Sequence, residues 1–105
     1  MTEVSFVGLE PSDSLRDYAE RKVSALVQEP EMQSCRVVLE ANGHSRSGKR
    51  FRAKFEIVVP RQTIIVGAQG EAYADMYAAI DASFDDAKRA LHDHAAKSRE
   101  TIRRA

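Results

Sequence analysis

The fold is decided by the stretch SCRVVLEANGHSRSGKRFRAKFEIVV, residues 34–59, in which two alternating segments flank a basic loop. In residues 34–41 the apolar side chains at odd positions are Cys35, Val37 and Leu39. In residues 51–59 the odd positions carry Phe51, Ala53, Phe55, Ile57 and Val59. A period of two places alternate side chains on one face of a strand. The stretch therefore predicts two antiparallel strands joined by the loop GHSRSGKR, residues 43–50.

Two further strands are predicted on either side of this hairpin. Residues 3–8 alternate Val4 and Phe6 with polar neighbours, and residues 63–68 (TIIVGA) are rich in β-branched side chains. The later strand follows a connection of only three residues, so it extends the hairpin into a three-stranded antiparallel meander.

Two amphipathic helices complete the chain. Residues 12–29 have apolar side chains three and four apart, with Ser12 as the capping residue and Pro30 as the stop. A longer helix is predicted from a capping Asp75 to about Glu100.

The element order predicts an α+β fold, β-α-β-β-β-α, made of one domain over residues 1–105. The first two strands are joined through a helix and are expected to pair in parallel, which gives a four-stranded mixed sheet. Both helices are expected on one face of the sheet. The other face is expected to be open.

The composition predicts a soluble, cytoplasmic protein. Apolar residues make up 43% of the chain, and no run approaches the ~20 apolar residues of a membrane span. The N-terminal sequence MTEVSFVGLE has no basic segment followed by an apolar one, so no secretory signal is predicted. A single cysteine, Cys35, excludes an internal disulfide.

Charge is segregated along a chain whose net charge is zero. Residues 1–43 carry four basic and eight acidic side chains, residues 44–67 carry six and one, residues 68–87 carry none and five, and residues 88–105 carry six and two. A polyanion responds to a local patch of charge, so two basic blocks that meet in the fold can bind phosphates at zero net charge.

The loop GHSRSGKR matches all but the last position of a phosphate-binding P-loop. Arg50 stands where that motif needs a magnesium-binding hydroxyl, and the segment leads into a strand instead of a helix. A basic hairpin is therefore predicted. Its five cations are Arg46, Lys49, Arg50, Arg52 and Lys54, with no acid between residues 41 and 55. They are either solvated charges that protect a sheet from aggregation or an anion-binding patch.

The long helix carries a second group of cations beside its apolar stripe. At 100° per residue one flank collects Lys88, Arg89, His92, Arg99 and Arg103. Some of the helix's cations can be neutralised by acids four residues earlier, as in Asp85 with Arg89 and Asp93 with Lys97. Arg99 and Arg103 gain nothing from each other and favour an external anion. We expect both basic groups to form one anion-facing surface.

No catalytic or metal site is predicted. His92 and His94 diverge on the helix, Cys35 faces the core, and the adjacent carboxylates of Asp85 and Asp86 also diverge. Tyr73 and Tyr77 are expected to be packing residues. The less favoured alternative is that their rings stack on a nucleic-acid base. We therefore expect no enzyme activity, no cofactor, no metal and no small-molecule substrate.

The stretch DMYAAIDASFDDAKRAL, residues 75–91, resembles a motif of the bacterial ribosome hibernation promoting factor and ribosome-associated inhibitor Y family. The similarity extends to Ser12, Leu15 and Arg16, to SCRVVLE in residues 34–40, and to Val59 and Pro60, and so covers nearly the whole chain.

This resemblance implies a single non-enzymatic domain, similar in shape to double-stranded RNA-binding domains. Family members bind 16S ribosomal RNA in the small subunit, where messenger and transfer RNA would lie, and inhibit translation by steric exclusion in starvation or stationary phase. The short form is expected here, because the chain ends at Ala105 before the dimerisation domain of longer members. By position the family's basic residues correspond to Lys88, Arg89, Lys97 and Arg99.

Two departures mark a divergent branch. Short family members usually carry lysines where this helix has HDHAA, residues 92–96, whereas the hairpin here is richer in cations. An alternative is a protein-interaction or regulatory module that keeps the fold without binding ribosomes. Weak self-association through the acidic residues 68–87 and the basic residues 44–67 would suit it.

Overall fold

The computed structural model describes the backbone of residues 2–26, 32–45, 48–68 and 72–104, and the side chains of these residues except 43–45, 48–49 and 98–104. The elements are β1 (Thr2–Val7), α1 (Asp13–Leu26), β2 (Ser34–Ser45), β3 (Gly48–Val59), β4 (Gln62–Val66) and α2 (Met76–Arg104). The predicted order β-α-β-β-β-α is confirmed. Neither helix, within the described part of the chain, combines the length and apolarity needed to cross a membrane.

The four strands form one mixed sheet in the order β1-β2-β3-β4. β1 pairs in parallel with β2, and the other two pairs are antiparallel. One row across the sheet joins Val4 to Val37, Val37 to Phe55 and Phe55 to Val66. The register therefore aligns the apolar positions of all four strands on the same face, as the period of two predicts.

The core lies between that face and both helices. The sheet buries Cys35, Val37, Leu39, Ala53, Phe55, Ile57 and Val59, and the helices bury Ala19, Val23, Leu26, Met76, Ala79, Ile80, Ala87 and Leu91 against them. The residues that the sheet contributes to the core are thus odd-numbered residues of the stretch 34–59. This packing leaves the opposite face of the sheet free of helices.

Both helices begin at the predicted capping residues. The hydroxyl of Ser12 accepts a hydrogen bond from the backbone N–H of Leu15 at 3.3 Å, and the carboxylate of Asp75 accepts one from the N–H of Tyr77 at 3.1 Å. Each bond satisfies a donor of the first helical turn. The predicted end of the first helix lies outside the described residues, whereas α2 extends to Arg104.

The hairpin between β2 and β3 is longer than predicted. β2 continues to Ser45 and β3 starts at Gly48, so most of residues 43–50 belongs to strands and the predicted boundary at residue 41 is wrong. Asn42 lies opposite Arg50, and the register shifts between Asn42 and Ser45. Hydrogen bonds between the backbones of β2 and β3 continue the hairpin beyond the core. An alternation of apolar side chains is needed only where one face of a strand is buried in the core. Gly48 and the residues after it form a strand, which agrees with the rejection of a P-loop.

Burial of Cys35 predicts a pH-dependent stability. Burial raises the pKa of the Cys35 thiol to about 11 from its ordinary value of 9.0. The unfolded thiol ionises above pH 9.0, while the folded thiol keeps its proton until about pH 11. The contribution of the protonated thiol to the free energy of unfolding is therefore complete below pH 9.0. It is lost between pH 9.0 and about 11, at up to about 1.4 kcal/mol per pH unit.

Urea unfolding of the wild type and Cys35→Ala checks this expectation. The difference in their free energies of unfolding should shrink as the pH rises from below 9.0 toward 11. A difference that is the same at both ends of this range would show that the thiol is accessible to solvent in the folded protein.

Candidate nucleic-acid interface

The open face of the sheet, opposite the helices, carries mostly polar and charged side chains at alternate positions of the strands. By strand alternation it carries the residues that stand between the core positions. They are Glu3, Ser5 and Val7 on β1, Arg36, Val38, Glu40 and Asn42 on β2, Arg50, Arg52, Lys54, Glu56 and Val58 on β3, and Thr63 and Ile65 on β4.

Three cations follow one another on alternate residues of β3, and we call Arg50, Arg52 and Lys54 the cationic ladder. They lie in the half of the sheet next to the β2–β3 hairpin, opposite Asn42, Glu40 and Val38 of β2 respectively. All three side chains are half-buried. The ladder is held against the sheet, and its position on the open face agrees with the prediction for Arg52 and Lys54.

Neighbouring strands bring acids to the ladder that the linear sequence does not show. The ammonium group of Lys54 lies 3.0 Å from one carboxylate oxygen of Glu56, and a guanidinium nitrogen of Arg36 lies 3.8 Å from the other. Glu40 pairs in register with Arg52. The acid-free run counted along residues 41–55 is therefore not an acid-free surface, although cations remain in excess toward the hairpin.

The remaining predicted cations fall in several places. Lys88, Arg89 and His92 are exposed on α2, and Arg89 lies 3.7 Å from Asp86 instead of pairing with Asp85 as the spacing suggested. Both partners of that pair are more than half exposed, so its contribution to stability is small.

Lys97 lies on the other flank of α2. It lines a shallow recess of about 370 Å³ together with Gln62, Asp93 and His94. Arg46 lies outside the described residues. Lys49, Arg99 and Arg103 lie within strands or helices, but their side chains are outside the described part of the chain.

The members of the two basic groups whose side chains the structure describes do not share one surface. Phe51 and Tyr73 exchange backbone hydrogen bonds of 2.7 and 2.8 Å, which places the start of α2 beside the hairpin half of the sheet. A side-chain contact of 3.0 Å between Gln62 and His94 places the later turns beside the β3–β4 turn. The distance along β3 between these ends is about 30 Å at ~3.3 Å per residue.

The ladder and α2 also lie on opposite faces of the sheet. Phe55 packs toward α2, so Lys54 and the rest of the ladder point away from it. The expectation of a single anion-facing surface is therefore wrong for the described side chains. The alternation that gives β3 its core side chains is also what separates its cations from the helix.

A polar cluster between α1 and α2 escaped the sequence analysis. The hydroxyl of Tyr18 donates a hydrogen bond of 2.5 Å to Asp81, and Lys22 lies 3.3 Å from the same carboxylate. The hydrogen bond to Asp81 raises the pKa of Tyr18. Tyr18 also meets Tyr77 edge to face, with ring centroids 4.9 Å apart. Tyr77 is thus a packing residue. Tyr18 and Asp81 are 63 residues apart, so no local sequence pattern could reveal that they are partners.

In residues 2–26, 32–45, 48–68 and 72–104 no group of three His, Cys, Asp or Glu side chains is arranged to hold a metal ion. Cys35 is buried.

The architecture defines an α+β domain with a mixed four-stranded sheet covered by helices on one side. The family model described as sigma 54 modulation protein / S30EA ribosomal protein matches residues 2–99. The chain belongs to this family, which confirms the resemblance inferred from residues 75–91.

Two solved structures are similar to the chain. The Thermus thermophilus Protein Y N-terminal domain is 28% identical with a TM-score of 0.66, and the match covers 85% of this chain and 91% of that one. A ribosomal subunit interface protein from Coxiella burnetii has a TM-score of 0.74 at 19% identity, over 91% of this chain and 99% of that one, and supports the fold alone. No curated protein sequence matches the chain.

Proposed function

We propose that this protein is a ribosome-binding translation inhibitor that occupies the messenger and transfer RNA channel of the small ribosomal subunit under stress. Inhibition would be steric and would need no catalysis, cofactor or small-molecule substrate. Residues 1–105 would act as one domain in the bacterial cytoplasm. The family match over residues 2–99, described in terms of a ribosomal protein, supports this proposal.

The observation that carries the proposal is the cationic ladder on the open face of the sheet. A row of cations on an uncovered face creates a local positive field that a polyanion such as 16S ribosomal RNA can meet. The half-buried side chains lose less freedom on binding than extended ones would.

The separation of the basic groups fits a body enclosed by RNA. A protein that fills a channel is contacted on more than one side, and this molecule is elongated, with extents of 54 × 25 × 18 Å. The ladder would contact RNA on the sheet side. The cations of α2 would contact it on the helix side: Lys88, Arg89, His92, Lys97, Arg99 and Arg103.

A second candidate function is a protein-interaction module without ribosome affinity. The half of the open face next to the β3–β4 turn favours it, because Val58 is 36% exposed and Ile65 is 54% exposed there. Exposed apolar side chains in one region are typical of protein contacts. Concentration-dependent dimerisation in the absence of RNA affinity would support this candidate over the first.

Co-sedimentation with vacant ribosomes tests the proposed function. We expect the protein to migrate with small subunits or whole ribosomes in a sucrose gradient at low salt. If six to ten phosphates are contacted, the affinity should fall by roughly 10³ to 10⁵ between about 50 and 200 mM salt. Recovery only at the top of the gradient, at the lowest salt concentration, would contradict the proposal.

A further inference from the structure

The spacing of the ladder matches the way a nucleic acid presents its charge. Arg50, Arg52 and Lys54 lie on alternate residues of one strand, so their side chains leave the same face about 6.7 Å apart. A nucleic acid backbone is likewise a row of regularly spaced negative charges. A straight strand can therefore place successive cations against successive phosphates.

The open face lacks the groups that bind unpaired bases. In the described sheet the phenylalanine rings, Phe6, Phe51 and Phe55, belong to the face that packs toward the helices, and Phe55 is fully buried. Tyr18 and Tyr77 contact each other between the helices. Proteins that hold single strands generally stack bases on exposed aromatic rings. The described part of the open face has no such platform.

The ladder is also fixed in position before any ligand arrives. The Lys54 ammonium group is held 3.0 Å from Glu56, and Arg50 and Arg52 are half-buried on the part of β3 that pairs in register with β2. A rigid row of cations is best matched by a rigid row of phosphates. A double helix supplies that row at a higher charge density than a flexible single strand.

The outer surface of α1 is less suited than the open face of the sheet to contact a polyanion. Asp13, Asp17 and Glu20 are exposed there, against one exposed base, Arg21. This local excess of exposed acids disfavours contact between a polyanion and α1 itself.

We propose that the cationic ladder binds the sugar–phosphate backbone of double-helical RNA and does not read base sequence. The inference rests on the proposed function, because it names the feature of ribosomal RNA that the sheet face would hold. It also makes a claim that purified RNA can test without ribosomes.

The test is a binding titration by fluorescence anisotropy with a short RNA duplex of mixed sequence and an unstructured single strand of the same length. The ladder variant Arg50→Gln/Arg52→Gln/Lys54→Gln is compared with Arg16→Gln/Arg21→Gln/Arg61→Gln, which removes the same number of charges elsewhere. Thermal unfolding followed by circular dichroism checks that both variants are folded.

We expect the wild type to bind the duplex more tightly than the single strand. The ladder variant should bind the duplex at least about tenfold more weakly at ~0.1 M salt, and its salt slope should be smaller by about 2.7, the value for three phosphates. The control variant should lose no more than about threefold. Tighter binding of the single strand, or equal losses in the two variants, would overturn the inference.

The outcomes separate this inference from the proposed function. Ribosome binding by a wild-type protein that has no duplex affinity would overturn the inference and leave the proposed function standing. Duplex affinity that depends on the ladder, in a protein that does not bind ribosomes, would support the inference and contradict the proposed function.

Discussion

Replacing Gly67 by alanine is expected to lower the free energy of unfolding by about 3 to 5 kcal/mol. Gly67 follows β4 with a φ of 80°, in the left-handed region that favours glycine. A Cβ atom there would lie 2.0 Å from the carbonyl oxygen of Ala53 and 2.5 Å from the hydroxyl of Ser83. Ser83 is buried on α2, so the added methyl group would force the helix away from β3.

Arg61 provides the matched control for this prediction. It has a φ of 74° and an exposed side chain, so Arg61→Gly relieves backbone strain without changing the core. We expect Arg61→Gly to be neutral or stabilising by up to about 1 kcal/mol. Urea unfolding of both variants makes the comparison. A loss in Gly67→Ala no greater than ~1 kcal/mol would show that α2 does not pack this closely on β3.

Phe55→Ala is the second substitution expected to have a large effect. Phe55 is fully buried at the centre of the sheet, between Val37 and Val66 in register, and it packs in the core beneath both helices. Truncation removes buried apolar surface and leaves a cavity, which costs about 3 to 5 kcal/mol. Against a total of roughly 5 to 15 kcal/mol for such a domain, this is a large share of the stability.

Val58→Ala tests whether the loss depends on the face of β3. Val58 is three residues later on the same strand, but it is 36% exposed on the open face. Its truncation should cost under about 1 kcal/mol, measured by the same urea unfolding. Similar losses at Phe55 and Val58 would contradict the assignment of the two faces.

Most of the fold follows from local patterns in the sequence. The period of two in residues 34–41 and 51–59 identifies the core face of β2 and β3, because only one face of each strand is covered. Ser12 and Asp75 mark the helix starts, because their side chains satisfy backbone donors that the first turn leaves free. The parallel pairing of β1 with β2 follows from their connection through a helix.

The features that the sequence does not predict depend on partners distant in the chain. The hairpin extends past residue 41 because backbone hydrogen bonds, which carry no side-chain pattern, hold β2 and β3 together there. Glu40 reaches the ladder only through the register of a neighbouring strand.

The placement of the second basic group is another long-range property. The direction of α2 is set by the contact of Phe51 with Tyr73 at one end and of Gln62 with His94 at the other. Neither contact has a signature in local spacing. The charge blocks could therefore be counted in the sequence, but whether they meet could not be inferred from it.

Ribosome pelleting by three forms of the protein is the decisive measurement: the wild type, the ladder variant, and the control variant lacking Arg16, Arg21 and Arg61. Binding through the open face predicts that the wild type and the control variant pellet with vacant ribosomes at low salt and that the ladder variant remains largely in the supernatant. Equal pelleting of all three forms would contradict the role of the cationic ladder. Absence of all three from the pellet would contradict ribosome binding itself.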